Sequence, residues 1–435
     1  MMSSILFVLL LSAGIWFFTK SVRRISRNIR LGRDLLINDR KGERWSQMIR
    51  VALGQSKMVS RPVAGFFHII IYAGFIIINI EVLEIIIDGV FGTHRIFAQP
   101  LGSLYDFLIG SFEILAFLVI LACVVFFARR SIIKLKRFTS PELDGFPNND
   151  ALIILGTEVL LMSLFLFMNA SDQLLQQRGH EHYVVAGYFP VSSYLTPLLE
   201  GLSVSNLVAI ERVCWWLHIA GILAFLNYVP FSKHFHIFLS FPNVWYSKLD
   251  SKGKFSNNET VTNEVRLMMD PAAAAPPSTD APTPFGAKDV RDLTWKNLMD
   301  AYSCTECGRC TSSCPANITG KKLSPRKIMM DTRDRLEEVG RNLDLQGPEY
   351  DDGKSLLGGY ISPEELWACT TCNACVEACP VNIDPLSIIV EMRRYMVMEQ
   401  SSAPTELNGM FTKIENNGAP WQFSQADRMN WTSEG

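Results

Sequence analysis

The sequence predicts an all-α protein in two parts: a five-helix transmembrane bundle, and after it a small helical domain organised by cysteines. Three observations carry this expectation. Residues 1–240 contain five long apolar segments, residues 241–435 are polar with frequent Pro and Gly, and eight of the ten cysteines fall in two tight clusters. A bilayer core takes about 20 helical residues to cross.

The spans are placed at Ser4–Thr19 with its flanks, Gly65–Val90, Leu104–Ala128, Ala151–Asn169 and Leu207–Tyr228. The first lacks a basic leader and a small-residue cleavage site, and its charges come after the apolar run, so it reads as an anchor rather than a signal peptide. Twelve Lys/Arg lie between Lys20 and Arg61, and the loop after the third span holds Arg129, Arg130, Lys134, Lys136 and Arg137. The other two loops carry only Arg95 and Arg178. The positive-inside rule then puts the N-terminus outside and the cysteine-rich part in the cytoplasm, with the chain multi-pass in the inner (cytoplasmic) membrane.

Residues 241–290 read as a surface segment and then a linker, since Asp270–Lys288 is rich in Ala, Pro, Ser and Thr and separates the anchor from the cysteine-rich domain. The net charge of −2, with no basic tract interleaved with aromatics, excludes nucleic acid as a partner. No dinucleotide fingerprint or nucleophile–base motif is present, so any flavin or nicotinamide belongs to a partner chain. Cys123 and Cys214 lie in apolar spans and read as small core hydrophobes.

Residues 291–400 carry the strongest signal. Cys304, Cys307, Cys310 and Cys314 are spaced C-x-x-C-x-x-C-x-x-x-C and are succeeded by Pro315; Cys369, Cys372, Cys375 and Cys379 repeat the spacing before Pro380. Three thiolates two residues apart can wrap one iron–sulfur cubane, and in this run the fourth cysteine ligates the other cluster. Two [4Fe-4S] clusters are therefore expected, one on Cys304, Cys307, Cys310 and Cys379, the other on Cys369, Cys372, Cys375 and Cys314. Zinc, the alternative, favours paired C-x-x-C sites. Gly308 and Ala374 are read as the small residues that let the backbone approach. The 54 residues between Cys314 and Cys369 include a helix over Ser324–Leu343 and a Gly-rich loop, Gly347–Gly359. Helices are also expected over Leu293–Tyr302, Pro363–Ala368 and Pro385–Glu399 from the helical spacing of their apolar residues.

Seven histidines remain to be placed. His218 and His236, 18 residues apart, would share one face of the fifth helix, five turns or about 27 Å apart, with His234 turned away and Pro230 a point between them where the helix can kink. His68 and His236 would sit at the cytoplasmic ends of their helices. Two readings stand for that pair: axial ligation of a b-type haem, or imidazoles bonded to lipid headgroups. Glu81, Glu84 and Glu113 are expected near the outer interface. Glu158, nearer a helix centre, is the better candidate for a proton relay to a quinone.

Phe67-His68-Ile69, Leu217-His218, Pro230-Phe231-Ser232-Lys233 and His236-Ile237 resemble the gamma subunit of respiratory nitrate reductase and the cytochrome b subunits of heterodisulfide reductase and sulfite-reduction complexes. The resemblance implies a haem b held by His68 and His236 and a second haem at His218. The second haem's other ligand would lie ten residues past His68, where this chain has Ile78. His94, His180 or His182 would have to substitute, or His218 serves quinone binding. Residues 291–400 resemble the all-helical ferredoxin domain of succinate dehydrogenase iron–sulfur subunits. They look more like the C subunits of heterodisulfide reductase and anaerobic glycerol-3-phosphate dehydrogenase. Fused members of that superfamily continue into a cysteine-rich catalytic domain, so residues 401–435, with Pro420–Trp431, are expected to dock a separate cysteine-rich or flavoprotein subunit.

These parts make a membrane subunit of a quinone-linked oxidoreductase complex, with its substrate site on a partner chain. It would pass electrons between the quinone pool and a cytoplasmic partner through haem b and the two clusters. The alternatives are a haem-free membrane-tethered ferredoxin and a redox-sensing or assembly accessory protein. The anaerobically purified chain is expected to carry about eight non-haem iron atoms, about eight acid-labile sulfides and negligible zinc. A zinc-bearing preparation without labile sulfide would overturn the cluster expectation.

Overall fold

The computed structural model describes residues 2–270, 272 and 285–433. Most of the expected linker, Asp270–Lys288, lies outside the described residues. Within them there is no β-strand, only isolated bridges from Arg33 to Thr294 and from Leu357 to Ile361.

Five helices are long and apolar enough to cross a membrane: α1 (Met2–Ile29), α2 (Pro62–Phe91), α3 (Ser103–Phe127), α4 (Phe146–Gln177) and α5 (Val204–Tyr228). α1, α2, α4 and α5 overrun their expected spans, because polar end-turns continue the backbone hydrogen bonding that a bilayer demands, while α3 is shifted by one residue. The helices close a ring in chain order: α1 packs on α2 and α5, α2 on α3, α3 on α4 and α4 on α5. Phe7, Ile78, Phe112, Phe165 and Ile219 fill the ring, with Cys123 and Cys214 buried among them. Leu9, Trp16, Phe75 and Phe117 point outward, as lipid-facing positions do.

The fifth helix does not continue to His236. It ends at Tyr228, and two 3₁₀ turns, Val229–Phe231 and Lys233–Phe235, intervene before α6 (His236–Trp245). Pro230 begins the break, lacking the donor that a continuing helix needs. The shared register of His218 and His236 is thereby lost, and His234 is not turned away: its ring centre lies 5.5 Å from that of His236. The segment expected along the membrane surface contains α6 and the exposed helix α7 (Glu259–Met269).

The C-terminal helices match their expected positions to within three residues: α8 (Trp295–Tyr302), α9 (Pro325–Gln346), α10 (Pro363–Trp367) and α11 (Pro385–Met398). Their starts are encoded locally. Thr294 with Asn297, and Ser362 with Glu365, form capping boxes, and Ser324 caps α9 ahead of Pro325. A further helix, α12 (Thr405–Asn417), and the 3₁₀ segment Gln425–Thr432 are largely exposed, as are Trp421, Phe423, Met429 and Trp431.

The linker does not hold the two parts apart. The last turns of α1 run out of the ring onto α9 and α8: Asn28, fully buried, donates to the Tyr302 hydroxyl at 2.9 Å, and Arg27 donates to the Gly340 carbonyl at 2.9 Å. Gly340 is required there, because a Cβ would lie 2.4 Å from Asn28 Oδ1. Arg326, with no exposed surface, donates to Glu142 at 2.7 Å and to the Arg137 carbonyl at 2.6 Å in the loop between α3 and α4. Arg309 reaches the carbonyls of Lys57 and Met58, while Lys57 reaches Val376 and Asn382. Arg326→Ala leaves Glu142 only the Ser324 hydroxyl as a donor and is expected to destabilise the docking by about 3 kcal/mol. The reading is a lower thermal midpoint in detergent with faster proteolysis between the two parts; an unchanged midpoint would mean that this pair adds nothing.

Candidate functional site

The two cysteine runs adopt one backbone pattern twice. Glu306 and Gly308 have φ of 55° and 70°, and Thr371 and Asn373, at the same offsets in the second run, have 56° and 59°. Left-handed residues alternating with ordinary ones turn successive N–H groups into one concavity, which suits an anionic group. A short helix continues each run, Arg309–Ser312 and Ala374–Ala378, and the two pack on each other. Gly308 is thus a conformational requirement, but its counterpart is Asn373; Ala374 merely opens a helix. The signal was the repeated offset of four from the first cysteine, with Asn among the residues that tolerate this region.

Cys304, Cys307, Cys310 and Cys379 line one cavity together with Gly308, Arg309 and Cys375. Cys310 lies among Cys307, Cys304, Cys379 and Cys375, and Cys375 among Asp384, Cys369 and Cys314. The fourth cysteine of each run therefore lies with the first three of the other. Burial pushes the Cys304 thiol up to about 12 and Cys379 up to about 11, so these groups become thiolates through a bound metal, which deprotonates a coordinating thiol. Soft thiolates under converging N–H groups fit an iron–sulfur cubane. Amides of Thr371 and Ile383 already point at Cys369 Sγ and Cys379 Sγ, at 3.4 and 3.3 Å. Arg137 and Arg309 flank Cys307, Lys57 flanks Cys379, and Arg393 donates to the Cys369 carbonyl. Cys372 is exposed, whereas Cys304, Cys314 and Cys375 are buried.

In the bundle, His68 on α2 faces His236 at the start of α6, with ring centres 6.5 Å apart. A metal held between two imidazoles at ordinary bond lengths sets their centres about 6 Å apart. His236 Nδ1 lies 3.1 Å from the Lys233 carbonyl, which orients the ring and leaves Nε2 free, while His68 Nδ1 is buried without a partner. His68 and His236 are thus the donor types that would hold a haem iron. His218 is different: its Nδ1 lies 2.9 Å from the Leu161 carbonyl, in the core that also contains Ile78. His94, His180 and His182 do not reach it. They gather on Tyr183, with ring centres 5.0–5.3 Å from that ring. Among the described residues, no three His, Cys, Asp or Glu side chains converge to hold a single metal ion.

Lys233 joins the two regions. Its carbonyl bonds His236, and its ammonium pairs with the buried Glu306, inside the first cysteine loop; Glu306 is also bonded by Arg333 at 2.8 Å. Sequence reading did not single out this lysine; its place in Pro230-Phe231-Ser232-Lys233 was the available signal. Glu81, Glu84 and Glu113, expected at the outer interface, are buried, whereas Glu158 is half-buried without a partner among the hydrogen bonds of the described residues.

Residues 303–383 match the family described as a 4Fe-4S dicluster domain. The chain is 29% identical to a probable iron-sulfur-binding oxidoreductase, FadF, of Bacillus subtilis, over 99% of this chain and 61% of the relative. It is 28% identical to the EtfAB:quinone oxidoreductase of Syntrophomonas wolfei, over 91% of this chain and 55% of the relative. A probable membrane-anchored ferredoxin of Chromohalobacter salexigens is 31% identical over 36% of this chain and 25% of its own length. The chain thus spans just over half the length of the two relatives that cover most of it. No solved structure matches. The chain thus joins a match to a 4Fe-4S dicluster domain to helices apolar enough to cross a membrane, and is similar to iron–sulfur oxidoreductases.

Lys233→Met removes a cation beside the first cysteine loop. The midpoint potential of the cluster there is expected to fall by about 40 mV, roughly 1 kcal/mol for a one-electron couple. A redox titration monitored by electron paramagnetic resonance reads this, and a potential that stays in place or rises contradicts it.

Proposed function

We propose that the chain is the membrane subunit of a quinone-linked oxidoreductase complex, carrying electrons between the quinone pool and a soluble partner. The observation that carries the reading is Lys233, whose carbonyl holds one imidazole of the His68–His236 pair while its ammonium holds the first cysteine loop. The bound groups, haem b and two [4Fe-4S] clusters, supply the one-electron steps.

The residues divide the work. Cys304, Cys307, Cys310 and Cys379 hold the cluster nearer the bundle, and Cys369, Cys372, Cys375 and Cys314 hold the outer one. His68 and His236 hold one haem. His218, bonded to a backbone carbonyl and without a second histidine, packs the core. Lys57, Arg137 and Arg309 offset the negative charge of the inner cluster. Exposed Cys372 makes the outer cluster the exchange point with the partner, a cysteine-rich or flavoprotein subunit docking near Pro420–Trp431. The relative named EtfAB:quinone oxidoreductase favours quinone at the membrane end. By the loop charges, the cysteine domain is cytoplasmic and the N-terminus outside.

A dithionite-reduced minus oxidised optical spectrum of the anaerobically purified protein tests the reading. About one haem b per chain is expected, and His68→Ala or His236→Ala should abolish it while leaving the iron–sulfur absorbance. No haem in a preparation that retains its clusters would reduce the chain to a tethered ferredoxin.

A further inference from the structure

The half of the ring remote from the cysteine domain holds a buried polar network. Gly92 and Arg95, both with positive φ, turn the loop after α2 so that the Arg95 side chain re-enters the bundle, where it is 8% exposed. Asp88 secures this turn, accepting from the backbone N–H of Arg95 at 2.7 Å and of Ile96 at 3.3 Å. Arg95 then donates to Asp172 at 2.6 Å, to Asn169 at 3.0 Å and to the Tyr105 hydroxyl at 3.0 Å. Tyr105 donates to Glu84, and Asn169 to Glu113.

The charges do not balance. Glu81, Glu84, Asp88, Glu113 and Asp172 are five buried carboxylates around one buried arginine. A net negative charge of that size is not sustained at membrane depth, so the network must retain protons. Hydrogen bonds stabilise a carboxylate in its charged form, and their distribution points to where a proton stays. Asp172 has Arg95, and Glu113 accepts from two backbone amides and Asn169. Glu84 accepts from Phe97 N–H and Tyr105. Glu81 accepts from none of the described donors: it is 5% exposed, its Oε2 has no partner, and it lies three and seven residues before Glu84 and Asp88, on their face of α2.

We propose that Glu81 is the proton-donating group of a quinone site in this half of the bundle, replenished through the Arg95 network. The proposal rests on the quinone-linked reading above and assigns it a residue. As two electrons reach the quinone, its two carbonyl oxygens each take a proton. The Glu81 O–H bond breaks as a quinone O–H bond forms. The carboxylate is then reprotonated from the network and gives the second proton. His94, whose Nε2 lies 3.7 Å from Asp172 and whose Nδ1 has no partner, links the network to the His180–His182 loop and the aqueous face. Glu81 is thirteen residues, about 20 Å, along α2 from His68.

The full chain in detergent, reduced with dithionite and freed of excess, is mixed anaerobically with long-chain menaquinone in the same micelles. The return of iron–sulfur absorbance is recorded over time. Glu81→Gln, close in shape to the protonated acid, should slow that return at least ten-fold with unchanged iron content, while Glu259→Gln, at an exposed carboxylate of α7, keeps the wild-type rate. A carboxylic-acid band in the wild-type reduced-minus-oxidised infrared spectrum should vanish in Glu81→Gln alone. If the wild type is not reoxidised by menaquinone, the quinone reading itself fails. If the wild type is reoxidised and Glu81→Gln matches it, or keeps the infrared band, the assignment of Glu81 is overturned. Should Glu81→Gln lose its clusters, Glu81→Asp decides: a slowed return supports the proposal, and the wild-type rate overturns it.

Discussion

The ion pair between Lys233 and Glu306 is the contact on which the arrangement of the redox groups depends. A single electron crosses a protein only between carriers held close, so a cysteine domain that wandered on its linker would be useless to the bundle. Lys233 prevents this with both ends of one residue, fixing His236 through its backbone and the first cysteine loop through its side chain. Both charges are nearly buried, and Arg333 and Asp150 stand beside them. Such a chain of charges is stable only when complete, since a stranded buried ion costs several kcal/mol. It therefore favours one docked geometry over many loose ones.

Position matters in the same way around the cysteines. Their loops repeat one backbone pattern because each must turn its amides inward, and the residues at the two left-handed positions differ between runs: Glu306 and Gly308 in one, Thr371 and Asn373 in the other. In the first run the left-handed residue also supplies the carboxylate that reaches Lys233. Cofactor binding and domain docking thus share a loop, and a change at Glu306 would disturb both. The second run carries no such anchor and leaves Cys372 exposed, which suits it for exchange with a partner rather than for attachment.

The bundle divides along its length. Its end nearest the cysteine domain holds paired imidazoles, and its far half holds carboxylates around Arg95. An arginine turned inward from a loop with a strained backbone is a costly feature at membrane depth, and strain of this kind persists only where the surroundings over-determine it. Asp88 and Asp172 do so here. The chemistry proposed for the two halves, electron entry at one and proton supply at the other, reflects which side chains each half keeps buried.

Much of this was legible in the residues alone. Apolar length set the five spans, the cysteine spacing identified the cluster domain, and apolar residues at helical spacing marked the C-terminal helices, because each depends on contacts within a few positions in the chain. What only the tertiary structure decided depends on residues far apart. Pro230 broke α5 before His236, but where His236 then came to lie, beside His68, was set by packing of Val229 and Phe235 against the other domain. The carboxylates Glu81, Glu84 and Glu113 look interfacial by depth, but Arg95, from a loop that reads as polar surface, folds back to meet them. The linker composition suggested separated parts, whereas the ends of α1 and the loops of the ring bind the cysteine domain directly. Local hydrogen bonding and hydrophobic length are written in consecutive residues; the pairing of buried charges across hundreds of positions is settled only when the chain has closed on itself.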